Sequence, residues 1–456
     1  DIPSGEIRGQ LLGEAQNYFY APLSGASEVP PVNTTGFGNI ALEWRSGSVL
    51  ASGSMNELET PFDPIVAGGS HIHAAVAGRN SGIAYFLVPD LTRDSLGGRF
   101  FPSTNQFVFS AGATDTLLDR GYYVNIHTQG NASGELRGQI LPPAQIYFTS
   151  SFAGINETTP VISTGQGGLK GEWTNGNLVL SGGFSDLTSE FDPNVAGGAH
   201  IHLGAAGTNG GIELFLNSDL DGDLRGGIFA ADSNTFTVSD TLSGRLTSDS
   251  LYVNIHTVAN ASGEIRGQVL LETNEFPTPN PNILSPPSNA SLTVEGDSST
   301  AFHANWSSAE DLDGNKVIYS WELSATPDFN NPLVYVNTGV DTFFTTDFAT
   351  VDAILSGAVV NFGDSVTLYH RGSASDGAVC AVGITDSVVL TRGTLVNIGV
   401  PLKADLRIFP SPASDYLFVE LNEIQVQSLQ MIVFDMTGKV VWQDQFDLNG
   451  SAFRTQ

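Results

Sequence analysis

The sequence holds a single cysteine, Cys380, in 456 residues, so an internal disulfide is excluded. Stability has to come from apolar cores, packed modules or metal. Basic residues are also scarce. Eighteen Lys and Arg face 48 Asp and Glu, a formal net charge of −30. Such a surface repels a phosphate backbone and an anionic bilayer, which argues against nucleic acid and membrane-surface partners. Charged residues of either sign make up only 14% against 41% hydrophobic, a balance that excludes a disordered polyelectrolyte. No apolar run reaches the length of a transmembrane helix. Long runs of Leu, Glu, Lys and Ala are missing, as are a Gly-rich phosphate loop, a nucleophile elbow, a convincing pair of carboxylates and a signal peptide.

What is abundant is glycine, 51 residues of it, with frequent Thr, Ser, Val and Asn. That composition favours many short strands joined by tight turns, an all-β chain of several domains. An internal repeat organises the first half. GGSHIHAAVAGRNSGIAYFL around His71 recurs as GGAHIHLGAAGTNGGIELFL around His200, and YVNIHTQGNASGELRGQIL recurs as YVNIHTVANASGEIRGQVL. His71 and His200, His127 and His256, and Arg137 and Arg266 are each 129 residues apart. The opening SGEIRGQLL matches the end of each repeat, so residues 1–12 read as the last strand of an upstream copy, followed by repeats over 13–142 and 143–272. A Pro/Asn/Ser-rich linker, stiff and extended, is expected over 273–288. Period-two alternation then marks a β-sandwich over 289–398, and after a junction near 399–403 a strand–turn–strand tail fills 402–456.

Six of the eight histidines sit in the duplicated motifs. In a strand, residues i and i+2 share a face. His71 and His73 therefore point one way and Ile72 the other, as do His200 and His202 against Ile201. Tyr123, Asn125 and His127 alternate in the same sense with Val124 and Ile126. The isoleucines and valine are the natural core residues, which puts the imidazoles on the outer face. A hairpin centred near Ala132 would set His127 opposite Arg137, and the copy would set His256 opposite Arg266. Two strand histidines plus a third make a three-nitrogen site suited to copper or zinc: His71, His73 and His127 in one repeat, His200, His202 and His256 in the other. The alternative is that these rings only hydrogen-bond loop backbone and pin a Gly-rich crossover. Clustered carboxylates at Asp219, Asp221 and Asp223, and at Asp311 and Asp313, resemble fragments of calcium loops, although Asp-Gly turn chemistry explains both equally. Cys380, in an apolar strand, reads as inert core.

The repeats, through LSGASEVPPV, HIHAAVAGRNSGIAYFL and YVNIHTQGNASGELRGQI, resemble the CHRD (chordin-like) domain; the second copy carries the weaker FAGINETTPV at the first of these. Their H-x-H plus later His, and NASGELR ending at Arg137, are similar to the copper side of Cu/Zn superoxide dismutase. That resemblance implies a Greek-key or immunoglobulin-like sandwich or barrel, a metal at the histidines, and Arg137 and Arg266 as residues beside the metal that guide a substrate. The dismutase's bridging histidine, zinc loop and disulfide pair have no counterpart here. DLDGNKVIYSWELS resembles a fibronectin type III or related immunoglobulin-like module. IFPSPASDYLFVEL and IVFDMTGKVVW resemble the type A C-terminal sorting domain of type IX secretion substrates, here without its closing strand, as if cut at Gln456. That implies export to the surface of a Gram-negative bacterium, with residues 402–456 meeting the type IX translocon and the surface attachment machinery. Two functions follow as expectations. One is a non-enzymatic surface protein for adhesion or display, meeting other surface proteins or glycans. The other is a copper- or zinc-binding metalloprotein with a dismutase-like site in each repeat.

Overall fold

The computed structural model describes residues 12–396 and, beyond them, strand backbone at 405–409, 418–422, 428–434, 440–447 and 452–455. The strand expected at 1–12 falls almost wholly outside the described residues, and the junction near 399–403 entirely so.

The first repeat is one antiparallel sheet built from β1 (Asn17–Ser24), β2 (Phe37–Arg45), β3 (Ser48–Asn56), β4 (Ser70–His73), β5 (Ile83–Phe86), β6 (Pro89–Leu91), β7 (Gly98–Phe100), β8 (Gln106–Val108), β9 (Tyr123–Ile126) and β10 (Leu136–Gln139). The order across it is β5-β4-β9-β10-β1-β2-β3-β7-β6, with β8 also on β3. After the β1–β2–β3 meander the chain thus crosses to the far end of the sheet. Both ends bury side chains in the same core, with Phe19, Leu42 and Val49 packed in one cluster with Ile72, Val124 and Ile126, so the sheet curls on itself. The second repeat reproduces this with β11 (Ile146–Ala153), β12 (Gln166–Thr174), β13 (Asn177–Ser185), β14 (Ala199–Leu203), β15 (Ile212–Phe215), β16 (Asp219–Leu220), β17 (Gly227–Phe229), β18 (Thr235–Thr237), β19 (Leu251–Ile255), β20 (Ile265–Gln268) and β21 (Leu270–Leu271). Its core copies the first, with Ile201, Val253 and Ile255 fully buried.

The alternation argument holds inside the strands. Ile72 and Ile201 are fully buried in the cores, and the flanking histidines lie on the opposite face. One short helix per repeat interrupts the β pattern, at Ala111–Leu118 and Asp240–Leu246. Each begins at a serine whose hydroxyl accepts the backbone N–H three residues on, Ser110 from Ala113 and Ser239 from Leu242, both at 3.2 Å. No helix among the described residues is long and apolar enough to cross a membrane.

The chain divides into two compact units: Asp1–Leu292, His303–Thr345 and Ser365–Leu390 form one, and Thr293–Phe302, Thr346–Asp364 and Thr391–Gln456 the other. The first unit holds both repeats and much of the third module, in which Ile318–Ser324 pairs with Val334–Gly339 on one side and Ser365–Ser375 on the other. The 273–288 segment is not a free spacer here. Phe276 is buried with Ala26, Val379 and Ala381, and Ile283–Ser285 pairs with Asn305 and Trp306. The second unit contains a helix, Phe348–Gly357, capped by Asp347 and tied by Arg392 to Asp352 at 2.6 Å. It also contains a three-stranded sheet of Asp405–Phe409, Phe418–Asn422 and Ala452–Thr455, and a hairpin of Ser428–Phe434 with Val440–Asp447.

A tight turn leads into each H-x-H strand. Gly69 and Gly198 have φ of +80° and +84°, and a Cβ at either would lie 2.3 Å from a ring atom of Phe62 or Phe191. Gly69 also accepts His127 N–H through its carbonyl, so this turn sets the two histidine strands in register. Gly69→Ala and Gly198→Ala are each expected to cost their own repeat about 2 kcal/mol of stability, from left-handed strain plus overpacking. Calorimetry of the whole chain checks this: each variant should melt below the parent chain, and an unchanged melting temperature would refute it.

Candidate metal centre

The three histidines of each repeat come together. His71 lies directly across from Asn125, and His73 from Tyr123, on adjacent strands. His127 follows β9 by one residue. Their ligand nitrogens all lie within 4.8 Å of one another, as do those of His200, His202 and His256. Among the described residues, these two triads are the groups of three or more His, Cys, Asp or Glu whose donor atoms meet in this way.

The hydrogen bonds fix which nitrogen carries the proton. His71 Nδ1 faces Ala67 O at 3.1 Å, His73 Nδ1 faces Ser81 O at 2.7 Å and His127 Nδ1 faces Ala132 O at 2.9 Å. A carbonyl oxygen only accepts, so each Nδ1 donates, and in the neutral ring Nε2 is left as a lone pair. His71 Nε2 and His127 Nε2 then face each other at 3.0 Å. Two lone pairs at that distance repel unless a cation lies beside both. In the second repeat His202 Nδ1 donates to Gly210 O at 2.9 Å and His256 Nδ1 to Ala261 O at 3.0 Å, while Nε2 of both rings is buried with no hydrogen-bond partner. His200 Nδ1 has no such carbonyl.

A proton does not resolve the contact. Burial, then the neighbouring imidazoles, push His71 and His200 down to about 4. His73, His127, His202 and His256 are also lowered, burial first. All six are neutral at pH 7, the form that ligates a metal. Nδ1–H donated to backbone is the usual outer support of a metal-bound imidazole. Tetrahedral Zn–N bonds set ligand nitrogens about 3.3 Å apart, close to the spacing of His71 and His127. The donor set therefore fits copper or zinc.

The outer face is not open to water, as strand alternation alone suggested. His71 is 1% exposed and His127 6%, while the half-buried His73 meets the segment from Ala74 to Gly82 through Ser81 O. The register also differs from the expected hairpin: Arg137 pairs with Asn125, not His127, and Arg266 with Asn254. Arg137 is buried. Its guanidinium lies 3.5 Å over the Tyr123 ring and donates to Asn80 Oδ1 and Arg79 O, both at 2.8 Å, and to Val76 O at 3.3 Å. Arg266 repeats every contact with Tyr252, Asn209, Thr208 and Ala205. Rather than reaching out as guides toward a substrate, the two arginines hold this segment and its copy. Tyr123 lies on the strand between His73 and Arg137 and stacks on both, its ring 4.8 Å from that of His73.

Residues outside the histidine pattern complete the face. Glu135 is fully buried and accepts from Thr128, Thr34 and Glu59 N–H, closing the hairpin; Glu264 does the same with Thr257, Ser163 and Thr188 N–H. Glu28 and Glu157 are buried beside Asn125 and Asn254, and burial pushes their carboxyls up to about 8 and about 7 against the pull of Arg137 and Arg266. Sequence reasoning missed this pair. The signal was the glutamate shared by ASEVPPV and INETTPV at the repeat offset. The acidic stretches do not gather into a site: Asp221 is taken by Arg79 at 2.7 Å, and Asp311 Oδ1 accepts from Asp313 and Asn315 N–H within its own turn.

The CHRD domain model matches residues 19–140 and 148–269, together more than half of the chain. A secretion system C-terminal sorting domain model, of the type IX kind, matches 407–455. No curated protein matches. Among solved structures, the chicken CNTN1 FN1-FN3 domains are 11% identical, covering 61% of this chain and 82% of that one at a TM-score of 0.16. The four N-terminal Ig domains of Dscam1 are 11% identical, covering 80% and 81% at 0.15. Scores that low carry no argument. The two repeats rest instead on their own match: the chain belongs to the CHRD domain family.

Proposed function

We propose that this is a non-enzymatic surface protein of a Gram-negative bacterium, exported by the type IX route, in which each CHRD repeat binds one copper or zinc ion. The sorting domain over 407–455 supports export. The 3.0 Å approach of His71 Nε2 to His127 Nε2, each with its Nδ1 committed to a carbonyl, carries the metal. The ion locks together two rings from one strand and a third from the turn that follows the adjacent strand, which suits a display or adhesion module that works without disulfides.

Protein purified without chelator is expected to hold two ions per chain by elemental analysis. His71→Ala or His200→Ala should each remove one, and the double variant both. Less than about 0.2 ion per repeat in the parent chain would sink the metal reading.

The pH dependence follows from the lowered imidazoles. Between their folded values, about 4 for His71 and His200, and the ordinary 6.5, the folded site keeps its lone pairs where a free histidine has taken a proton. Zinc affinity, measured by competition with a chromophoric chelator, should therefore hold from neutral pH down to about 5.5 and collapse as pH approaches 4. Loss already complete at about pH 6 would point to exposed, ordinary histidines.

A further inference from the structure

The loop that follows each H-x-H strand faces two ways. Inward, in the first repeat, Ser81 O fixes the His73 ring, Arg137 holds Val76 O and Arg79 O, and Gln139 Nε2 holds Ala75 O at 3.0 Å. Outward, the same loop is the contact with the second repeat. Gly78, at φ +75°, lies so close that a Cβ would stand 2.0 Å from Gly168 N and 2.6 Å from Gly183 O. Arg79 Nη1 donates to Phe184 O at 2.8 Å and to Asp221 Oδ2 at 2.7 Å.

The second repeat turns the equivalent loop on the third module. Inward, Gly210 O fixes His202, and Arg266 and Gln268 hold Ala205 O, Thr208 O and Gly204 O. Outward, Lys316 Nζ donates to Ala206 O at 2.9 Å, and a Cβ on Gly207, at φ +74°, would meet Ile318 Cγ2 at 3.3 Å. Two different receiving surfaces thus take the same presenting loop, one turn of chain away from a ligand histidine each time.

We infer that metal binding at each triad and docking of the next module are coupled through this loop, so that the metal stiffens the module junctions. This rests on the metal reading above. The link is physical. The His73 or His202 imidazole is oriented by a carbonyl of a loop only nine or eight residues long (74–82 and 204–211), and the receiving module holds that loop from outside. Whatever orders the loop favours both events, and the effect is reciprocal.

The test uses the full chain and zinc alone. Calorimetric titration resolves the two zinc steps, and hydrogen exchange reads the loop amides with zinc and with chelator. Lys316→Ala changes a residue of the third module, outside both repeats. It is expected to weaken the zinc step lost in His200→Ala by about 5-fold and leave the other unchanged. Arg79→Ala should do the converse. Zinc should slow exchange in 74–82 and 204–211, and also in the receiving segments around 183 and 318. Two zinc ions bound with unaltered affinity in both variants, and no zinc effect on the receiving segments, would overturn the coupling while leaving the metal sites standing. No zinc bound at all would overturn both.

Discussion

A guanidinium buried in each repeat holds the site together. Arg137 and Arg266 are almost wholly out of water, and a cation in that position has to be compensated by acceptors and a π face. Tyr123 or Tyr252 supplies the ring, and the loop after the H-x-H strand supplies two carbonyls and an asparagine oxygen. Because the acceptors are mostly backbone, the loop's course is set by the arginine rather than by its own sequence. AAVAGRNSG and LGAAGTNGG follow the same path while sharing four of nine residues, among them Asn80 and Asn209, whose side chains accept from the guanidinium. The tyrosine passes the constraint on to the ring of His73 or His202.

Much of this was legible in the chain. Period-two alternation around Ile72 and Ile201 gave the right faces, and the constant offset gave two equal folds. Alternation reports only which side of a sheet a residue occupies, not what lies over that side, so the burial of His71 and His127 was not legible. The segment after each H-x-H strand is Gly-rich and aperiodic and leaves no pattern. The hairpin register was missed by two residues because the turn runs from His127 to Glu135, with its bend nearer Asn131 than Ala132. The helix at Ala111–Leu118 was likewise hidden, since a single serine cap ahead of Ala and Thr is a faint signal in a β-rich context. Glu28 was hidden for a different reason: a lone acid in a loop reads as solvent-exposed until the fold encloses it.

The two sites are copies but not equals. His71 has a carbonyl to fix its tautomer and His200 has none. A backbone carbonyl therefore sets the tautomer of the first ring of the first triad, whereas no backbone partner sets that of His200.

The swap of Arg79 for Thr208 at the same place in the two loops has a consequence for how the joints respond to salt. Asp221 on the second repeat pairs with Arg79 on the first repeat's loop. The second loop, with threonine there, is instead held from outside through a backbone carbonyl, Ala206 O, by Lys316. Added salt therefore weakens the partly exposed ion pair at the first joint more than the hydrogen bond at the second.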